Sequence, residues 1–235
     1  MSIADNLAFV RERIATAAAR AGRSPSSVAL MAVSKTFPAE AVHEAYAAGQ
    51  RLFGESRVQE FVGKCVALQS LPGLEFHLIG HLQSNKSAKA AELFDAVDSV
   101  DSLRLAERLN EAAGKVGKTL PVLIEVNVGG EQQKAGVAPD SDELEQILSA
   151  APRLANLRFR GLMTIPPFTD DPEQSRPYFA RLRQLRDELA SRHLPALSMN
   201  VLSMGMSHDF EVAIEEGSTC VRVGTAIFGN REKPE

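Results

Sequence analysis

Hydrophobic positions along this chain follow two patterns in turn. Residues 2–21 place Ile3, Leu7, Val10 and Ile14 at alternating four- and three-residue intervals, which predicts an amphipathic helix. Beyond it, short apolar runs of strand length alternate with amphipathic stretches: 28–34, 51–54, 75–80, 95–100, 121–128, 158–164, 198–203 and 219–224. The stretches between them carry helix punctuation. Pro38 stands at a first helical position, Glu40 lies in that turn and Gly49 closes it. Ser102 precedes a stripe of Leu105, Leu109, Ala112 and Val116, and Ser141 precedes Leu144, Ile147 and Leu148. Leu182, Leu185 and Leu189 mark a further helix, and the Pro- and Asp-containing stretch 166–176 reads as the longest loop.

Strands that alternate with helices pair in parallel through right-handed crossovers. Eight such units in about 210 residues close into a (β/α)₈ TIM barrel, here with an extra N-terminal helix. The rival is an open doubly wound sheet, whose first strand should lead into a Gly-rich turn. The turn here is Val33-Ser34-Lys35-Thr36-Phe37-Pro38, so the barrel is preferred. The expectation is one domain over 1–235, with residues 230–235 a frayed tail.

Composition narrows the class. At about 150 residues per domain, 235 residues leave a choice between one large domain and a small pair, and the strand count selects one. The 44% hydrophobic and 24% charged content is that of a globular protein. A net charge of −4 argues against a broad nucleic-acid footprint. Two cysteines, Cys65 and Cys220, form neither a disulfide framework nor a zinc pattern. The N-terminus lacks a signal-peptide pattern, and no apolar run approaches the roughly 20 residues of a membrane span. The cytosol is the expected compartment.

In a barrel, chemistry gathers at the carboxyl ends of the strands. Lys35 ends the first strand. Its ammonium either snorkels to water or, desolvated, forms an imine with a carbonyl compound. Arg222 alternates with Val221 and Val223 on the last strand, and points either outward to a helix carboxylate or inward to an acceptor. The loops after strands seven and eight are where barrels of this kind hold phosphate. Here they contain Ser203, Met204, Gly205, Met206 and Ser207, and then Gly224 and Thr225. Asp209 and Glu211 in the helix that follows strand seven already satisfy its dipole, so a phosphate would rely on loop N–H groups and hydroxyls. His77 and His81 lack zincin spacing, and His43 and His193 read as solvated. Lys134, in the loop after strand five, either binds an anion or is wet. A phosphorylated aldehyde fits the lysine, the arginine and the cradle together, and pyridoxal 5′-phosphate is the obvious candidate.

Longer motifs carry a resemblance. Met31–Thr36, Phe53–Glu60, His77–Lys86, Gly161–Pro166, Leu202–Ser207 with Asp209–Glu211, and Arg222–Gly229 resemble the pyridoxal-phosphate homeostasis protein family, in order from about residue 3 to 229. The resemblance implies a barrel like the N-terminal domain of alanine racemase (fold type III of pyridoxal-phosphate proteins). It implies a Schiff base on Lys35, Arg222 at the pyridine nitrogen, and Ser203, Gly224 and Thr225 at the phosphate, with Ser56 and Met204 also at the cofactor. An arginine at that nitrogen leaves the ring a weaker electron sink, which favours storage or limited racemase-like chemistry over strong carbanion stabilisation. Two positions depart from the family: Phe37 stands where a second lysine is usual, and Ser56 where asparagine is usual.

The function so implied is non-catalytic buffering of the cofactor and its delivery to apo-enzymes in transient contacts, with a monomer feasible. The alternative is an amino-acid racemase, which needs acid/base groups on both faces of the cofactor. In racemases the second group is a tyrosine from a separate domain. This chain offers only Tyr46 and Tyr178, both on helical stretches, and no room for that domain. A phosphate-sugar barrel enzyme with a Schiff-base lysine is a third reading, ranked below the others since such enzymes more often carry that lysine on a later strand.

Overall fold

The computed structural model describes residues 2–131 and 133–229; the expected frayed tail, 230–235, lies outside them. Eight parallel strands close into a barrel in chain order. They are β1 (Ala29–Val33), β2 (Leu52–Glu55), β3 (Glu75–Leu78), β4 (Ala96–Val100), β5 (Leu120–Glu125), β6 (Leu157–Met163), β7 (Leu197–Met206) and β8 (Cys220–Val223). The helices are α1 (Ile3–Arg20), α2 (Ala39–Ala47), α3 (Val58–Leu68), α4 (Ser87–Leu93), α5 (Leu103–Lys115), α6 (Asp142–Ala150), α7 (Arg176–Ser191), α8 (Phe210–Glu215) and α9 (Thr225–Phe228). Each apolar run is a strand, and the single-barrel reading holds.

Local differences have simple causes. Pro38 caps α2 in an extended conformation and is not its first residue. Val116 follows the end of α5 and is exposed, so the buried stripe of that helix stops at Ala112 and Ala113. Part of the long loop winds into a short 3₁₀ turn at Pro172–Ser175. The Ser102 and Ser141 caps form as expected, their hydroxyls accepting from the N–H groups of Leu105 and Leu144.

Strand alternation decides which side chains enter the barrel. On β1, Leu30 and Ala32 join the shell beneath the helices, while Met31 and Val33 pack inside with Ile79 and Cys220. Continuing that parity past the strand end turns Lys35 inward. On β8, Val221 and Val223 join the shell, which leaves Cys220, Arg222 and Gly224 facing in. The extra helix α1 buries Leu7, Val10, Ile14, Ala17 and Ala18. It is fastened over α8 and α9 by Asn6 Nδ2 donating to the Ile227 carbonyl (2.8 Å) and by the Arg13–Glu211 ion pair (2.9 Å).

β6 meets both neighbours with a register shift, between Phe159 and Gly161 on the β7 side. Gly161 has φ +153°, and a Cβ there would stand 1.9 Å from the Val201 carbonyl oxygen. Neither backbone can yield without breaking the ladder. Gly161→Ala is therefore expected to lower stability by about 3 kcal/mol, read as a fall in the urea midpoint at constant slope. An unchanged midpoint would show that this close approach is dispensable.

Candidate functional site at the carboxyl end of the barrel

A cavity of about 330 Å³ opens at the carboxyl ends of the strands, and Lys35, Ser56, Arg222, Gly224 and Thr225 all line it. Ser203 and Met204 are fully buried and are not among its lining residues. Ser207, from the loop expected to hold phosphate, lines it too, as do Phe37, Gly80, Ile165, Phe168 and His208, which the sequence reading did not assign to the site.

Lys35 sits on a tightly held turn. The Phe37 N–H donates to the Ser34 carbonyl (3.1 Å), and Thr36 takes φ +68°, a left-handed conformation that is costly for a β-branched residue. What holds the turn is a buried cation from α3. Lys64 Nζ donates to the carbonyls of Ser34 (2.8 Å) and Phe37 (3.0 Å), on either side of Lys35 and Thr36, and pairs with Glu55 at 2.6 Å. The Ser34 hydroxyl donates to the same Glu55 oxygen at 2.6 Å. Burial pushes the Glu55 carboxyl up, and the Lys64 and Ser34 contacts oppose that shift. Nothing in the spacing of Glu55 and Lys64 signals this pair. The available clue is that Glu55 ends an apolar strand, as Lys35 does.

Arg222 resolves inward. It is 3% exposed, and its donors meet neutral acceptors: Nη1 to the Ser203 carbonyl (2.7 Å) and hydroxyl (2.8 Å), Nη2 to the Thr164 carbonyl (2.7 Å). Burial lowers its pKa, while Asp98, Glu125 and Asp209 oppose that. Ser203 thus holds Arg222 from below.

The loops after β7 and β8 meet at one hydroxyl. Ser207 Oγ accepts from the N–H groups of Gly224 (3.2 Å) and Ala226 (3.4 Å). Asp209 takes the Met206 N–H at 2.7 Å, which leaves the hydroxyls of Ser207 and Thr225 and the amides after β8 as the polar groups that face the cavity at this end. Gly80 allows the wall to close: a Cβ there would lie 2.2 Å from the Ser56 carbonyl oxygen. Phe37, where the family's second lysine is usual, packs its ring 5.1 Å from that of Phe228. Over the mouth, exposed Phe168 lies 5.7 Å from the His208 ring, and His208 Nε2 contacts the Asp170 carbonyl (3.0 Å). Lys134 pairs with Glu131 and donates to the Pro166 carbonyl (3.3 Å). Neither Tyr46 nor Tyr178 lines the cavity. Among the described residues no group of three or more His, Cys, Asp or Glu side chains is placed to hold a metal, and no helix is long and apolar enough to cross a membrane.

This barrel and its strand-one lysine place the protein in a definite structural class: residues 6–232 match the family model for the alanine racemase N-terminal domain. Pyridoxal phosphate homeostasis proteins from Pseudomonas aeruginosa and Aquifex aeolicus are 49% and 47% identical to the chain. The first alignment covers 98% of this chain and 96% of the relative, the second 99% and 100%. PipY of Synechococcus elongatus, solved with pyridoxal phosphate bound, superposes with a TM-score of 0.82 at 42% identity, over 97% of this chain and 100% of that one. Clostridium difficile alanine racemase shares the fold, with a TM-score of 0.72 at 16% identity, and this chain spans 58% of its length. The chain belongs to the pyridoxal phosphate homeostasis protein family.

Glu125, at the end of β5, is a buried carboxyl that the sequence reading passed over. Burial pushes it up to about 7, helped by Asp101 and opposed by Arg222 and His81, and its Oε2 has no hydrogen-bond partner. A raised carboxyl is fully stabilising below its unfolded value, and that contribution is lost as pH rises toward about 7. Relative to the wild type, Glu125→Gln should gain about 3 kcal/mol between pH 4.5 and pH 8, measured by denaturant unfolding at each pH. A difference independent of pH would show that Glu125 ionises normally.

Proposed function

We propose that this chain binds pyridoxal 5′-phosphate in the carboxyl-end cavity, buffers it and delivers it to apo-enzymes in the cytosol, without turnover of its own. The observation that carries this reading is the convergence in one cavity of the Lys35 amine, the Ser207–Gly224–Thr225 cradle and the inward guanidinium of Arg222. The donor set fits the cofactor: an amine for an aldehyde, amides and hydroxyls for a phosphate. The cavity also lies in the ordinary range of small-molecule sites, about 300–1,000 Å³. When bound, the cofactor supplies a reactive aldehyde and an aromatic ring able to accept electrons.

The residues of this chain set how it would be held. Lys35 is the amine that takes the aldehyde, and the Lys64 clamp fixes the turn presenting it. Arg222 carries only donors, so a ring nitrogen held against it would stay unprotonated and the ring would draw electrons more weakly. Ser203, and the Thr164 carbonyl, keep Arg222 in place. Ser56 and Gly80 form the adjoining wall, and Met204 supports β7 from within the shell. Relatives named as homeostasis proteins support the carrier reading over the racemase alternative. The cavity offers no tyrosine to act opposite Lys35, so a second acid/base group of the racemase kind is missing among the described residues.

Purified protein titrated with the cofactor is expected to develop a visible absorbance band that Lys35→Ala abolishes. An unchanged band in that variant would move the site elsewhere. Ser207→Ala combined with Thr225→Val should weaken cofactor binding about tenfold or more, through lost charge-assisted hydrogen bonds. Alanine should not be racemised at a measurable rate by the loaded protein, and sustained turnover would favour the racemase reading.

A further inference from the structure

At the opposite end of the barrel, residues from all eight strands surround a second cavity of about 580 Å³, larger than the first. The two are partitioned by the interior cluster of Met31, Val33, Ile79 and Cys220. Cys220 lines the lower cavity, and Val33 and Ile79 line the upper. A barrel bottom filled by apolar side chains would serve stability alone. This one is lined by charge.

The charges are sorted by side. β3 and β4 contribute Glu75, His77 and Asp98, with Asp95 just ahead of β4. Asp98 is 2% exposed and holds His77 Nδ1 at 3.2 Å. Asp95 accepts from the Phe76 N–H at 2.8 Å through Oδ2. Across the barrel, β6 and β7 contribute Arg160 and Asn200, which are neighbours because Gly161 pairs with Val201. The side chains of Arg160 and Asn200 make no hydrogen bond or ion pair with another described residue. One wall therefore offers carboxylates, the other a guanidinium and an amide with their donors uncommitted.

We propose that this cavity binds an elongated small zwitterion of the ω-amino carboxylate class, its carboxylate on Arg160 and Asn200 and its ammonium toward Glu75 and Asp95. A plain anion would meet the carboxylate wall, and a plain cation would leave the Arg160 guanidinium unmatched. A molecule with its two charges at separate ends satisfies both walls, and bidentate pairing suits a carboxylate on arginine. Glu75, Asp95, Arg160 and Asn200 are exposed at the open rim, and β5 separates the acidic strands from the basic ones, so a ligand whose two charges stand apart on a chain matches the walls better than an α-amino acid does. The His77–Asp98 pair forms the inner end of the acidic wall, which fixes its shape as well as its sign.

The test is calorimetric titration of 6-aminohexanoate, with hexanoate and hexylamine as single-charge probes, into protein with and without pyridoxal phosphate. The site does not depend on the cofactor reading, and the cofactor-free arm keeps the two independent. One saturable site is expected for 6-aminohexanoate, at least tenfold tighter than for either single-charge probe. Arg160→Ala and Glu75→Gln should each weaken it fivefold or more while the cofactor absorbance titration stays as in the wild type. Absence of saturable binding, equal affinity for hexanoate, or full affinity in Arg160→Ala would each overturn the proposal.

Discussion

Closure of β8 onto β1 is the constraint on which the rest of this molecule depends. Ala29, Leu30, Met31 and Ala32 pair in parallel with Cys220, Val221, Arg222 and Val223. That pairing joins residues nearly two hundred positions apart in the chain and sets both strands to the same inward parity. Lys35 then projects into the space that Arg222 and Gly224 reach from the neighbouring strand. Were the sheet open, the first and last units would lie apart and no cavity would hold an amine, a guanidinium and an amide cradle together. The helix α1, fastened to α8 and α9, covers the outside of that seam.

The site is held rigid by buried charge rather than by shape alone. Lys64 and Glu55 are both nearly inaccessible, and a buried pair of this kind is costly to desolvate. It persists with its hydrogen bonds directed at Ser34 and Phe37, the two ends of the strained turn that presents Lys35. Arg222 follows the same logic with neutral partners: carbonyl groups of β7 and of the residue after β6 satisfy its donors without neutralising its charge. A cation kept charged beside the cavity and an amine on a fixed turn are the features of a site built to hold a ligand. Neither supplies a proton acceptor on the far side of it.

The fold was legible because its information is periodic. Eight apolar runs with capped amphipathic stretches between them specify a barrel, and the carboxyl-end rule places Lys35, Arg222, Gly224 and Thr225 around one opening, to which the family resemblance adds Ser56. Less legible was anything that depends on which neighbour a side chain meets across the barrel. The inward turn of Arg222 follows from parity with Cys220, yet Val221 and Val223 suit an outward arginine equally well until the shell is seen. Ser203 reads as a phosphate ligand because it lies on the expected strand, and only the structure shows that its hydroxyl oxygen accepts from Arg222. Ser207, four residues on, meets the Gly224 and Ala226 amides, and only the approach of the two loops distinguishes it. Lys64 could not be singled out from sequence, since a lysine on a helix is usually solvated, and Glu125, like Glu55, offered only its place at the end of an apolar strand.

The central claim is that Lys35 is the residue on which this protein holds pyridoxal phosphate. Borohydride reduction of the loaded protein, followed by proteolysis and mass spectrometry of the peptides, measures it directly. The account predicts a single modified peptide containing Lys35, carrying the mass of the reduced cofactor. Label on Lys64, Lys134 or another lysine in place of Lys35, or no covalent label at all, would contradict it.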